Sequence, residues 1–267
     1  MTRILTALFA ILFACSALAE DLRMAVTTSF NNSGLSDVLL PHIKADLDLD
    51  VRLLVVGTGQ ALRLGAAGDV DAVLVHSRQA EEAFVAAGNA PHRREIMYND
   101  FIIIGPASDP AGVKTAGVAI KAFSLIAEGE ATFVSRGDDS GTHKKEEALW
   151  RAANIAPSGP WHRPVGAGMG AALNAASAMN AYVLADRASW LKFGNKGNLK
   201  LLFQGDPILF NQYAFLPVSA NKHPHVNHTG AARLEEWLAG DRAKALIDGY
   251  ALNGKRLFTH NAQAAQD

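Results

Sequence analysis

The chain alternates between strand-like and helix-like segments almost throughout, and this alternation restricts the fold more than any other feature of the sequence. Runs rich in β-branched residues, such as Val51 to Val56 and Ala72 to Val75, are each followed by a stretch of helical composition. Alternation of this kind is typical of α/β proteins, in which helices cover a sheet. Because the pattern restarts after Gly105-Pro106, we expect an α/β fold with two lobes, each a sheet flanked by helices.

The restart also suggests where one lobe ends and the other begins. An extended run from Tyr213 to Val218 follows the second series of alternating segments and returns the chain to the first lobe. We therefore predict that residues 106–206 form lobe 2, and that residues 20–105 and 207–267 together form lobe 1. In open α/β sheets, ligands bind beyond the carboxyl ends of the strands. A cleft between the lobes is the expected binding site.

The first 19 residues have the features of a secretory signal peptide. Arg3 provides a positive start, the stretch from Ile4 to Phe13 is apolar, and Ala17-Leu18-Ala19 fits a cleavage site. The apolar stretch is too short for a comfortable membrane span. We expect cleavage near Ala19 and a periplasmic or otherwise extracytoplasmic mature chain that begins near Glu20. A lipid anchor at Cys15 is the alternative, since Leu12-Phe13-Ala14-Cys15 is similar to a lipobox.

The composition argues against several classes of function. The chain has 25 Lys and Arg against 26 Asp and Glu, and a formal net charge of −1. Nucleic-acid binding needs a basic patch, so no nucleic-acid partner is expected. The nine histidines form no H-x-x-x-H or H-E-x-x-H pair, and the one cysteine lies in the predicted signal peptide. We therefore expect no metal site and no cofactor, and we expect a monomer.

Three strand-to-helix junctions share one chemical character. They are Thr27-Thr28-Ser29, Gly57-Thr58-Gly59 and the loop from Arg136 to Thr142. A strand that leads through small residues into a helix leaves backbone N–H groups unpaired, and the helix dipole adds positive potential there. In the third junction Ser140 is a good N-cap, and the fork of Arg136 matches two oxygens of an oxyanion. The junctions predict a site for a small oxyanion.

The third junction allows two interpretations, which differ in the role of the two aspartates beside Arg136. One interpretation is an ordinary turn in which Arg136 pairs with Asp138 or Asp139. In the other, Arg136 lines an open cleft, contributes little to stability, and binds an anion. A fully deprotonated oxyanion needs hydrogen-bond donors only, whereas a protonated phosphate also needs a carboxylate acceptor. We expect Asp138 and Asp139 to turn away from the anion, bonding loop amides or holding Arg136 in its rotamer.

An enzymatic role has weaker support. A secreted Ser-dependent hydrolase would need Ser140 or Ser29 activated by a base such as His143, and the sequence has no G-x-S-x-G elbow. The glycines from Gly166 to Gly170 do not have the G-x-G-x-x-G spacing of a dinucleotide site. We expect no enzymatic activity and no catalytic residues.

Motifs along nearly the whole mature chain carry a family resemblance. They are Thr27-Thr28-Ser29, Asn32-Ser33-Gly34-Leu35, Gly57-Thr58-Gly59-Gln60-Ala61-Leu62, Met97-Tyr98-Asn99-Asp100-Phe101, Asp109-Pro110-Ala111-Gly112, Ser135-Arg136-Gly137-Asp138-Asp139-Ser140-Gly141-Thr142-His143, Gly168-Met169-Gly170 and Leu184-Ala185-Asp186-Arg187. The set resembles the tungstate-binding component of bacterial tungstate ABC importers. The resemblance implies a type II periplasmic-binding-protein fold that holds tungstate, or molybdate, in the interlobe cleft. It also implies delivery to a membrane permease driven by a separate ATPase. A phosphate- or sulfate-type oxyanion-binding protein is the alternative.

The resemblance also implies a set of ligand-binding residues. Carried over by position, they are Thr28, Ser29, Thr58, Gly59, Arg136, Ser140, Gly141 and Thr142. This chain departs from the family pattern at Val26, which takes the first position of a longer threonine run, and at Phe30, where a small polar residue is usual. Because the expected contacts include no carboxylate or histidine, we expect tungstate affinity to be nearly constant between about pH 6 and 8.

Overall fold

A computed structural model describes residues 20–263 of the chain. The predicted signal peptide and the possible lipid anchor at Cys15 lie outside the described residues. Within residues 20–263, no helix is both long enough and apolar enough to cross a membrane.

The first part of the chain alternates strands and helices as the sequence predicts. Its elements are β1 (Glu20–Thr27), α1 (Thr28–Ser33), α2 (Leu35–Leu47), β2 (Leu49–Val56), α3 (Thr58–Ala67), β3 (Ala72–Val75), α4 (Arg78–Ala86) and the long strand β4 (Arg94–Pro106).

The remaining elements continue the alternation and return to the first sheet. They are α5 (Ala119–Glu128), β5 (Phe133–Ser135), α6 (Gly141–Ala152), β6 (His162–Pro164), α7 (Met169–Met179), β7 (Tyr182–Asp186), α8 (Arg187–Lys192), β8 (Leu199–Phe203), β9 (Phe210–Pro217), α9 (His228–Ala239), α10 (Asp241–Gly249), β10 (Ala251–Leu252), β11 (Lys255–Arg256) and β12 (Thr259–His260).

Strand β4 connects two groups of strands. The strand order is β2-β1-β3-β9-β4-β7-β5-β6, with β8 and β12 also paired to β4. The first half of β4, from Arg94 to Asp100, pairs antiparallel with β9. Its second half, from Phe101, pairs antiparallel with β7 and β8. Strands β1, β2 and β3 run parallel to one another, as do β5, β6 and β7. The expected α/β fold, a mixed sheet flanked by helices, is confirmed.

Within residues 20–263, the buried apolar side chains form four clusters that follow the same division. Two clusters use residues up to Met97 and from Tyr213 onward, together with Ala188 of α8. The other two use residues from Phe101 to Leu209. The chain therefore passes from the first pair of clusters to the second inside β4, and it returns to the first pair at the start of β9. The lobe boundaries at residues 105 and 206 stay predictions.

Two local features set where helices begin. The segment Thr28–Ser33 is a short helix, and the Thr27 side chain caps it by accepting a hydrogen bond from the amide of Phe30. Helix α5 begins at Ala119. Gly117 has a φ of +73°, a left-handed conformation that ends the preceding 3₁₀ turn.

Candidate functional site

Helix α6 begins as the sequence predicts, with Ser140 as its N-cap. The Ser140 Oγ accepts a hydrogen bond from the amide of His143 over 3.2 Å. The amides of Gly141 and Thr142, in the first turn, have no acceptor within the helix. Ser140 and Thr142 are buried. The start of α6 therefore supplies amides, hydroxyls and the positive end of a helix dipole in a buried place.

Helices α1 and α3 begin with similar chemistry. Ser29 is buried in the first turn of α1, and Thr28, which precedes it, is half-buried. Thr58 begins α3 and has 0% of its surface exposed, and its Oγ1 has no hydrogen-bond partner among residues 20–263. A buried hydroxyl without a partner is uncommon and needs an explanation. Thr58 Oγ1 is therefore available to bind a ligand.

Direct contacts bring these helix starts together. The amide of Gly59 donates to the carbonyl oxygen of Asp139 over 3.3 Å, which joins α3 to the loop before α6. His76 lies between α1 and α6. Its Nε2 is 3.1 Å from the Oγ of Ser29, and a Cβ placed on Gly141 would lie 2.1 Å from its Cε1. All eight predicted residues thus lie at the starts of α1, α3 and α6 or in the loop before α6, and these segments contact one another directly or through His76.

Arg136 is more deeply involved in the structure than the sequence suggests. Its side chain is only 3% exposed. The Nε donates to the carbonyl oxygen of Ala167 over 2.8 Å, and Nη2 donates to Oδ2 of Asp138 over 2.5 Å. The expectation that Arg136 lines an open cleft is therefore wrong, and the small effect on stability that was expected for that reason loses its basis. Its pairing with Asp138, one of the two interpretations, is present. No hydrogen bond of Nη1 is present within residues 20–263, so this edge of the guanidinium is the part left for an anion.

The two aspartates turn away from a donor-only site, as expected. Asp138 accepts from the guanidinium of Arg136 and, through Oδ1, from the amide of Ser140. Asp139 accepts from Lys144 over 2.5 Å and from Arg63 over 3.2 Å. These two cations, Lys144 before Arg63, hold the pKa of Asp139 below its usual range. Both carboxylates are thus occupied by cations or by a loop amide.

His76 is a site residue that the sequence reasoning missed. It is buried, and its ring packs on that of Tyr213 with centroids 4.7 Å apart. Burial, together with the smaller effects of the charges of Lys145 and Arg136, lowers its pKa to about 4. The imidazole is therefore neutral near pH 7. Its position directly after β3, where the other parallel strands also end in polar residues, is the signal in the sequence that identifies it.

Tyr213 was also missed, because the sequence indicates only an extended run there. Its hydroxyl lies 3.3 Å from the Oγ of Ser29, which is also 3.1 Å from the Oγ1 of Thr27. Burial, followed by the nearby carboxyl of Asp186, raises the pKa of Tyr213. Its phenol therefore stays protonated and can donate a hydrogen bond.

The two departures from the family pattern are core residues. Val26 is fully buried in the cluster beneath β1, and the ring of Phe30 packs near that of Tyr213 with centroids 6.2 Å apart. Both side chains therefore contribute to packing. Neither carries a hydrogen-bond donor that an oxyanion would need.

A groove of about 660 Å³ opens next to this site, between α4 and α6. Its lining includes Arg78, Lys144, Lys145, Arg151 and Glu147, and it reaches His76 and Gly141. Of the eight predicted residues, Gly141 alone lines the groove. The buried site and the open groove are thus adjacent, with the His76 ring and Gly141 at their boundary.

Comparison with known proteins gives consistent matches. Residues 16–242 match the family model described as a PBP superfamily domain. The chain is 44% identical over 243 residues to the tungstate-binding protein TupA of Peptoclostridium acidaminophilum, covering 90% of this chain and 85% of that protein. It is similar to the solved structure of the tungstate-binding protein TupA from Desulfovibrio alaskensis G20, with 43% identity, a TM-score of 0.81, and coverage of 92% of this chain and 100% of that one. A structure described as the tungstate ABC transporter from Geobacter sulfurreducens matches with 45% identity, a TM-score of 0.80, and coverage of 86% and 99%.

Proposed function

Because the chain belongs to the PBP superfamily and, within it, to the family of the tungstate-binding protein TupA, we propose that it is an extracytoplasmic solute-binding protein for tungstate. In this proposal the protein captures the oxyanion, or the similar molybdate, in the periplasm. It then delivers the anion to the permease of an ABC importer, which a separate ATPase drives. The predicted signal peptide at residues 1–19 would direct it there.

The observation that carries the proposal is a buried site built from donors, in which the nearby loop aspartates are already occupied. The starts of α1, α3 and α6 meet there, beside a guanidinium whose neighbour Asp138 is bound to it. Tungstate and molybdate are fully deprotonated at neutral pH, so they accept hydrogen bonds and donate none. A site of this composition suits a dianion of that kind.

We assign the predicted residues to roles within this site. Arg136 supplies charge, and the amides of Gly141 and Thr142 supply the donors of the α6 terminus. The hydroxyls of Thr28, Ser29, Thr58, Ser140 and Thr142 complete the donor set. Gly59 has a different role in this proposal, because its amide already donates to Asp139. It holds α3 against the loop that carries the donors.

Phosphate and sulfate are the alternative ligands, and one buried carboxyl group favours testing phosphate in particular. Asp186 is fully buried and caps α8 through Oδ1, while its Oδ2 has no partner among the described residues. It lies near enough to Arg136 for the two charges to interact. A carboxylate in this position is the acceptor that a protonated phosphate would need.

The contact between Ser29 and His76 does not support the hydrolase alternative. A general base works best with a pKa near the operating pH, and burial lowers the pKa of His76 to about 4. A catalytic histidine is also oriented by a carboxylate at its other nitrogen. The Nδ1 of His76 has no hydrogen-bond partner within residues 20–263.

Calorimetric titration of the protein from Glu20 onward tests the proposal. We expect one site per chain that binds tungstate and molybdate, with sulfate and phosphate at least a hundredfold weaker. Tight binding of phosphate, lost in the Asp186→Asn variant, would replace tungstate with a protonated oxyanion as the ligand. If none of the four anions binds, the proposal is wrong.

A further inference from the structure

The hydroxyl of Ser29 has more polar neighbours than it has hydrogens. Its Oγ lies 3.1 Å from Thr27 Oγ1, 3.1 Å from His76 Nε2 and 3.3 Å from the hydroxyl of Tyr213. A serine hydroxyl donates one hydrogen bond and accepts two. If Ser29 donates its hydrogen to any of these neighbours, it cannot donate to an oxyanion. The direction of each contact therefore decides whether Ser29 can serve as a ligand.

Two of the three neighbours do not need the hydrogen of Ser29. The phenol of Tyr213 stays protonated, since burial raises its pKa, and it can donate to Ser29. The Oγ1 of Thr27 already accepts from the amide of Phe30 over 3.3 Å, and when Tyr213 and His76 both donate to Ser29 Oγ, no lone pair of Ser29 is left for the Thr27 hydroxyl. The third neighbour, His76, is neutral near pH 7 because burial lowers its pKa to about 4. A neutral imidazole carries a hydrogen on one nitrogen and a lone pair on the other.

The two neutral forms of His76 have opposite effects on Ser29. With the hydrogen on Nε2, the imidazole donates to Ser29 Oγ, and the hydrogen of Ser29 is free for the anion. With the hydrogen on Nδ1, the bare Nε2 accepts the hydrogen of Ser29. In that form the Nδ1–H meets no acceptor at hydrogen-bonding distance and angle among the described residues, although the side chain of Asn211 and the backbone of His76 lie near enough to raise the pKa of the imidazole. A buried donor without an acceptor is costly.

We propose that His76 is a positioning residue for oxyanion binding, which holds its hydrogen on Nε2, donates it to Ser29, and so directs the Ser29 hydroxyl to the anion. The inference rests on the proposed function and goes beyond the predicted ligand set, which lacks His76. The imidazole does not touch the anion in this role. It acts through Ser29 alone.

A double-mutant cycle on tungstate affinity tests the inference. His76→Leu removes the donor and keeps an apolar side chain of similar bulk, and we expect it to weaken binding about tenfold, the loss of one hydrogen bond to a charged group. Ser29→Ala should weaken binding by a similar factor. In the Ser29→Ala background, His76→Leu should have no further effect, because its route to the anion is already lost. His76→Gln, whose amide can still donate, should recover part of the affinity.

A control variant and a spectrum complete the experiment. His260 is another buried histidine, whose Nε2 lies 2.9 Å from the carbonyl oxygen of Leu238, and His260→Leu should leave tungstate affinity unchanged. Long-range ¹⁵N NMR of the wild type with tungstate should show the hydrogen of His76 on Nε2, whether or not the Leu variant is stable. Additive losses in the cycle, or a hydrogen on Nδ1, would overturn the inference while leaving the proposed function intact. A wild type that does not bind tungstate would refute the proposed function itself.

Discussion

The amide of Gly59, in the first turn of α3, donates a hydrogen bond to the carbonyl oxygen of Asp139 over 3.3 Å. The carboxylate of Asp139 then binds Arg63 of α3 on one oxygen and Lys144 of α6 on the other. A Cβ at Gly59 would lie only 1.4 Å from Oδ2 of Asp139. Because glycine has no Cβ, α3 can approach the loop that carries Arg136 and Ser140 at this position.

Replacing Gly59 with alanine should separate these segments. We expect Gly59→Ala to displace the Asp139 carboxylate and weaken tungstate binding about tenfold, by a shift of the donor loop. The melting temperature should change little, because the ion pairs lost are exposed. Titration calorimetry and thermal denaturation would measure the two effects.

Gly57 offers a matched control for this variant. A Cβ at Gly57 would lie 3.7 Å from the carbonyl oxygen of Asp139, an ordinary contact, so Gly57→Ala should bind tungstate normally. In the double variant Gly59→Ala/Asp139→Ala, the obstructing carboxylate is gone and affinity should partly recover. Wild-type affinity in Gly59→Ala alone would show that this contact does not position the donor loop.

Arg136 should affect both binding and stability. A charged hydrogen bond in a buried site is worth roughly 1.5–3 kcal/mol, so Arg136→Ala should weaken tungstate binding by about tenfold to more than a hundredfold. It should also lower the melting temperature, since the buried side chain bonds Ala167 and Asp138. Arg136→Lys should recover only part of the affinity, because an ammonium cannot donate two parallel hydrogen bonds as a guanidinium does. Calorimetry and thermal denaturation again supply the measurements.

Arg151 provides the comparison for Arg136. It lines the adjacent groove, is mostly exposed, and pairs with Glu147 over 3.8 Å. Arg151→Ala should leave both affinity and melting temperature nearly unchanged. If Arg136→Ala binds tungstate normally but melts lower, Arg136 is only a structural partner of Asp138.

Local patterns in the sequence predicted the parts of this account that depend on neighbours along the chain. The Ser140 cap, the α3 start and strand β3 follow from residue types within one turn or one strand. The burial of Arg136 depends on Ala167, 31 residues away, and no local pattern carries it. His76 likewise acquires its role from Ser29, 47 residues earlier. The position of His76 directly after β3 marks it as a candidate site residue, but no spacing in the sequence predicts its contact with Ser29.

The buried His76 should make stability depend on pH in a defined window. Its pKa is about 4 in the folded protein and 6.5 as a free side chain, so between these values the unfolded state binds more protons. Its contribution to stability is therefore complete above about pH 6.5 and is lost as the pH falls towards 4. The difference amounts to about 3 kcal/mol. Urea denaturation of wild type and His76→Gln across this window should give curves that converge at low pH, and parallel curves would contradict the assignment.

Tungstate affinity itself should be nearly constant between about pH 6 and 8. His76 is already neutral across this range, and the pKa of Asp139 is lowered further from it by Lys144 and Arg63. The bound dianion needs no proton either. Calorimetry at several pH values would measure this directly. A tenfold change within the range would point to a titrating group in contact with the anion.

The position of tungsten in crystals of the protein with tungstate tests the central claim most directly. Tungsten scatters anomalously, so a difference map at its absorption edge locates it without reference to the rest of the density. The account predicts one peak within hydrogen-bonding distance, through the oxyanion, of Arg136, Ser29 and Thr58. A peak in the groove between α4 and α6, beside Lys144 and Lys145, would contradict it.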